Sequence, residues 1–232
     1  MALGLLFIYQ VFDSVRINRS MLSGIPVPAL QRYSFRQVAA LSLAYFVTFG
    51  SELAVVSILP LLFKDTFALS LTVAGFVGAS FGFTTFFARP AGGGLSDYFG
   101  RRRLMLLCML GTALGYLGMS FIGPKTGLVF GVSVTFLCSL FVNAGNGAVY
   151  AMLPLIKRRL TGQIAGIVGA FGNVGGVLFL TLYSFVTPQT FFFVAAGTAL
   201  LGLALIYLFV EEPKGQIAEE MADGSVTMID VA

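Results

Sequence analysis

Long apolar runs dominate this sequence, and they leave few folds open to it. A helix needs about 20 mainly apolar residues to cross the ~30 Å hydrocarbon core of a bilayer. Runs of that kind lie at Gln37–Phe63, Leu69–Gly92, Leu104–Gly123, Gly127–Ile156, Gln163–Val186 and Gln189–Val210. Hydrophobic residues make up 57% of the chain and charged residues 10%, against roughly 25% charged in soluble domains. The expectation is an all-α polytopic membrane protein with six transmembrane helices, a bundle over 37–210. The chain contains no His, which excludes a Ser-His-Asp triad, a His-metal site and an imidazole relay. Cys108 and Cys138 both fall inside apolar runs, where a thiol packs as a small hydrophobe. With no nucleophile–base pair, metal cluster or cofactor motif, neither an enzyme nor a cofactor is expected.

The basic residues set the expected orientation. Arg16, Arg19, Arg32 and Arg36 precede the first long run, Arg101–Arg103 follow the second, Lys157–Arg159 follow the fourth and Lys214 follows the sixth. Lys64 and Lys125 fall on the opposite side. Positive charge marks the cytoplasmic side, so both termini are expected in the cytoplasm of a plasma (inner) membrane protein. The same asymmetry accounts for a pI near 9.2 without any nucleic-acid partner. Residues 1–36 read as the end of a preceding helix followed by a cytoplasmic loop with Gly24, Pro26 and Pro28. Residues 211–232 read as a solvated, acidic cytoplasmic tail.

Charges within a span are costly and usually functional or paired. Arg89 lies eight residues before Asp97, about 12 Å deep at 1.5 Å per residue. A guanidinium stays charged when desolvated and offers forked, planar donors, which suit a planar oxyanion. Glu52 stands about 24 Å from Arg36 along its helix. It is either an interfacial residue, a structural partner or a proton-coupling carboxylate. Asn143 and Asn146 share one face of the fourth run, and Tyr45 and Phe49 share one face of the first. In the fifth run, Gly162, Gly166, Gly169, Asn173 and Gly176 step by four, three, four and three, with Gly172 and Gly175 beside them. Such a stripe admits a neighbouring helix or a substrate close to the backbone. Asn173, at mid-span, needs a hydrogen-bond partner.

Gly93-Gly94-Leu95-Ser96-Asp97-Tyr98-Phe99-Gly100-Arg101-Arg102 resembles the cytoplasmic loop motif of the major facilitator superfamily, Gly-x-Leu-x-Asp-basic-x-Gly-basic-basic. Tyr98 departs from it where a basic residue is usual. The segment Phe87-Ala88-Arg89-Pro90-Ala91-Gly92-Gly93 resembles the second-half arginine segment of the nitrate/nitrite porter family. Gly166 to Gly176 is similar to that family's glycine-rich signature. Tyr150 to Arg159 and Tyr45 to Glu52 also resemble family segments in the right order. The resemblance implies the C-terminal half of a twelve-helix transporter, helices seven to twelve. It further implies that Arg89 is one of two arginines clamping nitrate or nitrite, with Tyr45 bonding the anion and Phe49 walling it. By the same resemblance, Asn173, Gly166, Gly169, Gly172, Gly175 and Gly176 line the pathway; Asn143 and Asn146, by their shared face alone, are candidates for the pathway or for helix packing. Gly93, Asp97, Gly100, Arg101 and Arg102 form the conformational loop. Cyanobacterial and plant members keep a Glu at the place of Glu52, which favours proton-coupled uptake over exchange.

The implied partners are the anion, protons, the bilayer and either a missing N-terminal half or a second copy of the chain. Two other readings stand beside the leading one. One is a half-size transporter acting as a homodimer; the other is a non-transporting anion-binding sensor or subunit.

Overall fold

The computed structural model describes residues 9–10, 12–13, 15–17, 32–212, 215–220 and 226–231. The chain separates into two units, Met1–Arg32 and Tyr33–Ala232. In the first, residues 9–10, 12–13 and 15–17 are helical. The loop expected around Gly24, Pro26 and Pro28 lies outside the described residues.

The second unit holds seven α-helices among its described residues: α1 (Phe35–Phe67), α2 (Leu71–Phe83), α3 (Thr85–Phe99), α4 (Arg101–Met119), α5 (Leu128–Ile156), α6 (Thr161–Tyr183) and α7 (Pro188–Phe209). In a bilayer only helices or closed barrels satisfy the backbone, and each apolar run has become a helix. α1 has 33 residues and is about 50 Å long at 1.5 Å per residue, well beyond the hydrocarbon thickness. It ends at Ala68 in a left-handed conformation, φ 53°. Ser70 caps α2 by accepting the Val73 N–H at 3.4 Å. Thr187 caps α7 by accepting the Thr190 N–H at 3.3 Å, with Pro188 opening the helix, the position a proline tolerates best.

Two expectations need adjustment. The second run is one rod, α2 and α3, interrupted at Thr84 and extending to Phe99. Gly93–Phe99, expected as a loop, is therefore helical; the turn is confined to Gly100, φ 92°, a value that glycine adopts without steric cost. Five of the six rods among the described residues are long and apolar enough to cross a membrane. α4 is not one of them, because its first turn consists of Arg101, Arg102 and Arg103.

The packing is reciprocal between two triplets of rods. α1, first in the first triplet, packs against α6 and α7; α5, first in the second, packs against α3 and α4. One core cluster gathers Leu41, Ala44, Met105, Met109, Val149 and Met152, and another Leu59, Phe63, Tyr116, Phe191 and Phe192. Beyond the last helix, β1 (Gly215–Glu220) pairs antiparallel with β2 (Val226–Val231), Gly215 opposite Val231 and Glu220 opposite Val226. The segment read as a solvated, acidic tail thus carries two paired strands among its described residues. Val226, Thr227, Ile229 and Val231 are residue types that favour strands.

Candidate functional site

The site is assembled where α3 crosses α5. Gly147 of α5 lies directly against the backbone carbonyl of Arg89 and 2.9 Å from the Gly93 nitrogen, measured from where a Cβ would stand. One turn on from Arg89, Gly92 lies against the backbone of Ala144. Small residues allow backbones to approach this closely. The contact fixes the Arg89 main chain, so only its side chain is free to choose a direction.

That side chain turns toward α1. Arg89 Nη2 lies 3.0 Å from Glu52 Oε2, a salt bridge in which the Glu52 side chain is 9% exposed and the Arg89 side chain 33%. The guanidinium also sits over the Phe49 ring, 5.5 Å from its centroid, a favourable cation–π position. Phe49 stacks on Tyr45 at 4.9 Å with rings 6° apart, and Tyr45 meets Tyr150 edge-on at 4.9 Å. Arg89 Nε is buried with no hydrogen-bond partner.

Glu52 of α1 is gripped from two other helices, α3 and α5. Asn146 Nδ2 of α5 donates to Oε2 at 2.7 Å. Thr85 Oγ1 of α3 lies 2.9 Å from Glu52 Oε1 and 2.7 Å from Asn143 Oδ1. Asn143 Nδ2 in turn donates to Ser139 O at 3.0 Å and to Thr84 Oγ1 at 2.9 Å, and reaches Phe81 O at 3.5 Å. Thr84 Oγ1 donates to Phe81 O at 2.7 Å. Asn143 and Thr84 thus serve the backbone at the α2–α3 interruption, as polar side chains must when a buried helix is broken. Asn143 and Asn146 are wholly buried, and a buried network of this kind stabilises only when its members are partnered. Asn146 Oδ1, like Arg89 Nε, is buried without a partner.

The structure therefore gathers Arg89, Glu52, Asn143, Asn146, Phe49 and Tyr45 into one site. It does not bring Asn173 there. Asn173 is exposed on α6, with its amide donating to Gly169 O of its own helix at 2.9 Å. The glycines of α6 divide between two faces. Gly172 closes on Tyr45 and Phe49, Gly175 on Phe46 and Gly50, and Gly176 on Leu53; Gly169 faces the Tyr150 hydroxyl at 3.3 Å, and Gly166 meets open space. Sequence reasoning missed Thr84, Thr85 and Tyr150. Thr85 lies four residues before Arg89 and Tyr150 four after Asn146, helical spacings that place each beside a residue already singled out.

At the other end of α3, Asp97 pairs with Arg101 at 2.6 Å across the Gly100 turn. Glu212, just beyond α7, accepts the Arg101 N–H at 2.7 Å and the Arg102 N–H at 3.3 Å. Arg102 donates to Tyr207 O at 2.6 Å and sits over the Tyr207 ring. Gln37 of α1 donates to Glu211 O at 3.1 Å. The Glu212 carboxylate thus satisfies two orphan donors at the start of α4 and meets the positive end of its dipole. Glu212→Ala is expected to cost about 1–2 kcal/mol, the scale of a lost helix cap; thermal unfolding in detergent measures it, while Asp97→Ala, removing an exposed ion pair, should cost under about 1 kcal/mol.

The family profile described as "Major Facilitator Superfamily" matches residues 41–229. The chain is 41% identical over 215 residues to a "Nitrate/nitrite transporter NrtP" of Nostoc punctiforme, covering 92% of this chain and 43% of that protein. It is 40% identical over 142 residues to the "High affinity nitrate transporter 2.5" of Arabidopsis thaliana, covering 59% of this chain and 28% of that protein. It is 36% identical over 137 residues to the "Nitrite extrusion protein" of Bacillus subtilis, covering 59% and 34%. The solved structure of the proton:xylose symporter XylE aligns with a TM-score of 0.62 at 20% identity, over 78% of this chain and 45% of that one. The chain spans less than half the length of these curated relatives.

Proposed function

We propose that this chain, which belongs to the Major Facilitator Superfamily, supplies the second half of a transporter that moves nitrate or nitrite across a membrane by alternating access. It is an integral membrane protein. The observation that carries the proposal is Arg89: a guanidinium inside an apolar bundle, one-third exposed, with Nε buried and unpartnered and an aromatic ring beneath it. Such a group holds a small planar oxyanion through forked, charge-assisted bonds. Transporters of this architecture place substrate at the interface of their halves, and a second half would close over the exposed side of Arg89. Relatives named as nitrate or nitrite transporters support the choice of anion.

Phe49, and Tyr45 behind it, wall the site. Asn173 and Gly166 face outward from α6, where they would border the same interface. Gly172, Gly175 and Gly176 instead hold α6 against α1, a contact suited to sliding between inward and outward states. The Arg-rich ends of the helices lie in the cytoplasm, with both termini, in a plasma (inner) membrane. Uptake is proton-coupled through Glu52.

The test is flux. The complete protein in liposomes should accumulate nitrate saturably, with nitrite competing and sulfate not. Equilibrium nitrate binding with no uptake would replace this reading with that of a sensor.

A further inference from the structure

The Thr85 hydroxyl lies between two oxygens, Glu52 Oε1 at 2.9 Å and Asn143 Oδ1 at 2.7 Å. A hydroxyl carries one hydrogen, so it cannot donate to both. The identity of the Asn143 oxygen is set by its other end. Asn143 Nδ2 faces Ser139 O, Phe81 O and Thr84 Oγ1, and the Thr84 hydrogen is directed to Phe81 O. Three acceptors surround that atom, so it is the amide nitrogen, and Oδ1 faces Thr85. An ionised Glu52 therefore leaves one oxygen pair in this half-buried place without a hydrogen between them, an unfavourable arrangement. A protonated Glu52 removes the conflict. Its Oε1–H donates to Thr85, the Thr85 hydrogen goes to Asn143, and Oε2 still accepts from Asn146 and Arg89.

We infer that Thr85 is the positioning residue that lets Glu52 hold a proton while Arg89 holds the anion, so that anion and proton bind together. The inference rests on the reading of Arg89 as the anion ligand. In the empty site, the Glu52 carboxylate neutralises Arg89 from 3.0 Å and competes with any incoming anion. When the anion takes the guanidinium, one proton from the aqueous phase binds Glu52 Oε1 and is passed no further. The pocket holds anion and proton, or neither. Three titratable groups face Glu52: Arg89 from α3, Tyr45 from α1 and Tyr116 from α4, whose hydroxyl reaches Ser51 Oγ at 2.6 Å. Cys138 of α5 faces Tyr116. α2 carries no titratable residue, while α6 and α7 carry only Tyr183 and Tyr207, both near helix ends.

The experiment is nitrate titration calorimetry on the complete protein at several pH values, in two buffers of different protonation enthalpy. The expected result is uptake of close to one proton per anion, with affinity falling about tenfold per pH unit as pH rises through the linked range, the slope of one linked proton. Thr85→Val should move that fall to lower pH, and Thr85→Ser should restore it. Glu52→Gln should remove the pH dependence. Arg89-dependent nitrate binding with no proton uptake by the wild type would overturn the linkage and leave the anion site standing. Wild-type proton uptake with Thr85→Val unchanged would overturn the role of Thr85. Nitrate binding that is absent, or indifferent to Arg89→Lys, would overturn the anion site itself.

Discussion

Arg89→Lys in the complete protein is expected to reduce nitrate uptake at least about a hundredfold. The substitution keeps the charge and removes the fork. A charge-assisted hydrogen bond contributes roughly 1.5–3 kcal/mol, and a planar anion held through two parallel N–H groups loses one of them and the geometry of the other. The Lys ammonium remains able to pair with Glu52, so the fold should survive and the loss should be confined to the anion. Isotopic nitrate uptake at matched surface level is the measurement, and uptake within a few-fold of wild type would remove Arg89 from the binding site.

The second large effect is structural. Gly147→Ala and Gly92→Ala should each destabilise the bundle severely, because the added Cβ meets the backbone of the facing helix and not a side chain that can turn away. Overpacking costs about 1–3 kcal/mol where side chains can adjust; against a rigid main chain the helices must part. At roughly 2–4 °C per kcal/mol for a chain of this size, a fall of about 10 °C in Tm is expected. Gly94 is the control. It lies on the same helix as Gly92 but has nothing within 4 Å of the place a Cβ would take, so Gly94→Ala should be neutral or stabilising by up to about 1 kcal/mol from helix propensity alone. Equal behaviour of Gly92→Ala and Gly94→Ala would show that the close α3–α5 approach is not what seats Arg89.

The residues of the site were legible one by one. Arg89, Glu52, Asn143 and Asn146 each violate the apolar composition around them, and a polar group in a span demands a reason. Their association was not legible. Glu52 and Asn146 are 94 residues apart, and their pairing depends on the rotation and axial register of two helices. Thr84 and Thr85 escaped notice because hydroxyls are common in spans, where they bond their own helix. Thr85 differs only because the interruption at Thr84 and the placement of Asn143 turn it toward Glu52. The α6 stripe shows the same limit. A three-four spacing covers a broad arc, and Asn173 and Gly172 are adjacent within it. Only the contact with α1 reveals that Gly172 is buried and Asn173 exposed.

The apolar runs make this a helical membrane protein, because a hydrocarbon core forces each such segment to satisfy its own backbone. A charge at the depth of Arg89 must likewise be held by protein or water. What holds it emerges only from the packed helices. Lipid tails are as apolar as the bundle interior, so hydropathy does not record which face of a helix turns inward. Close glycine contacts and polar pairs record it instead, and they exist only once the helices have packed.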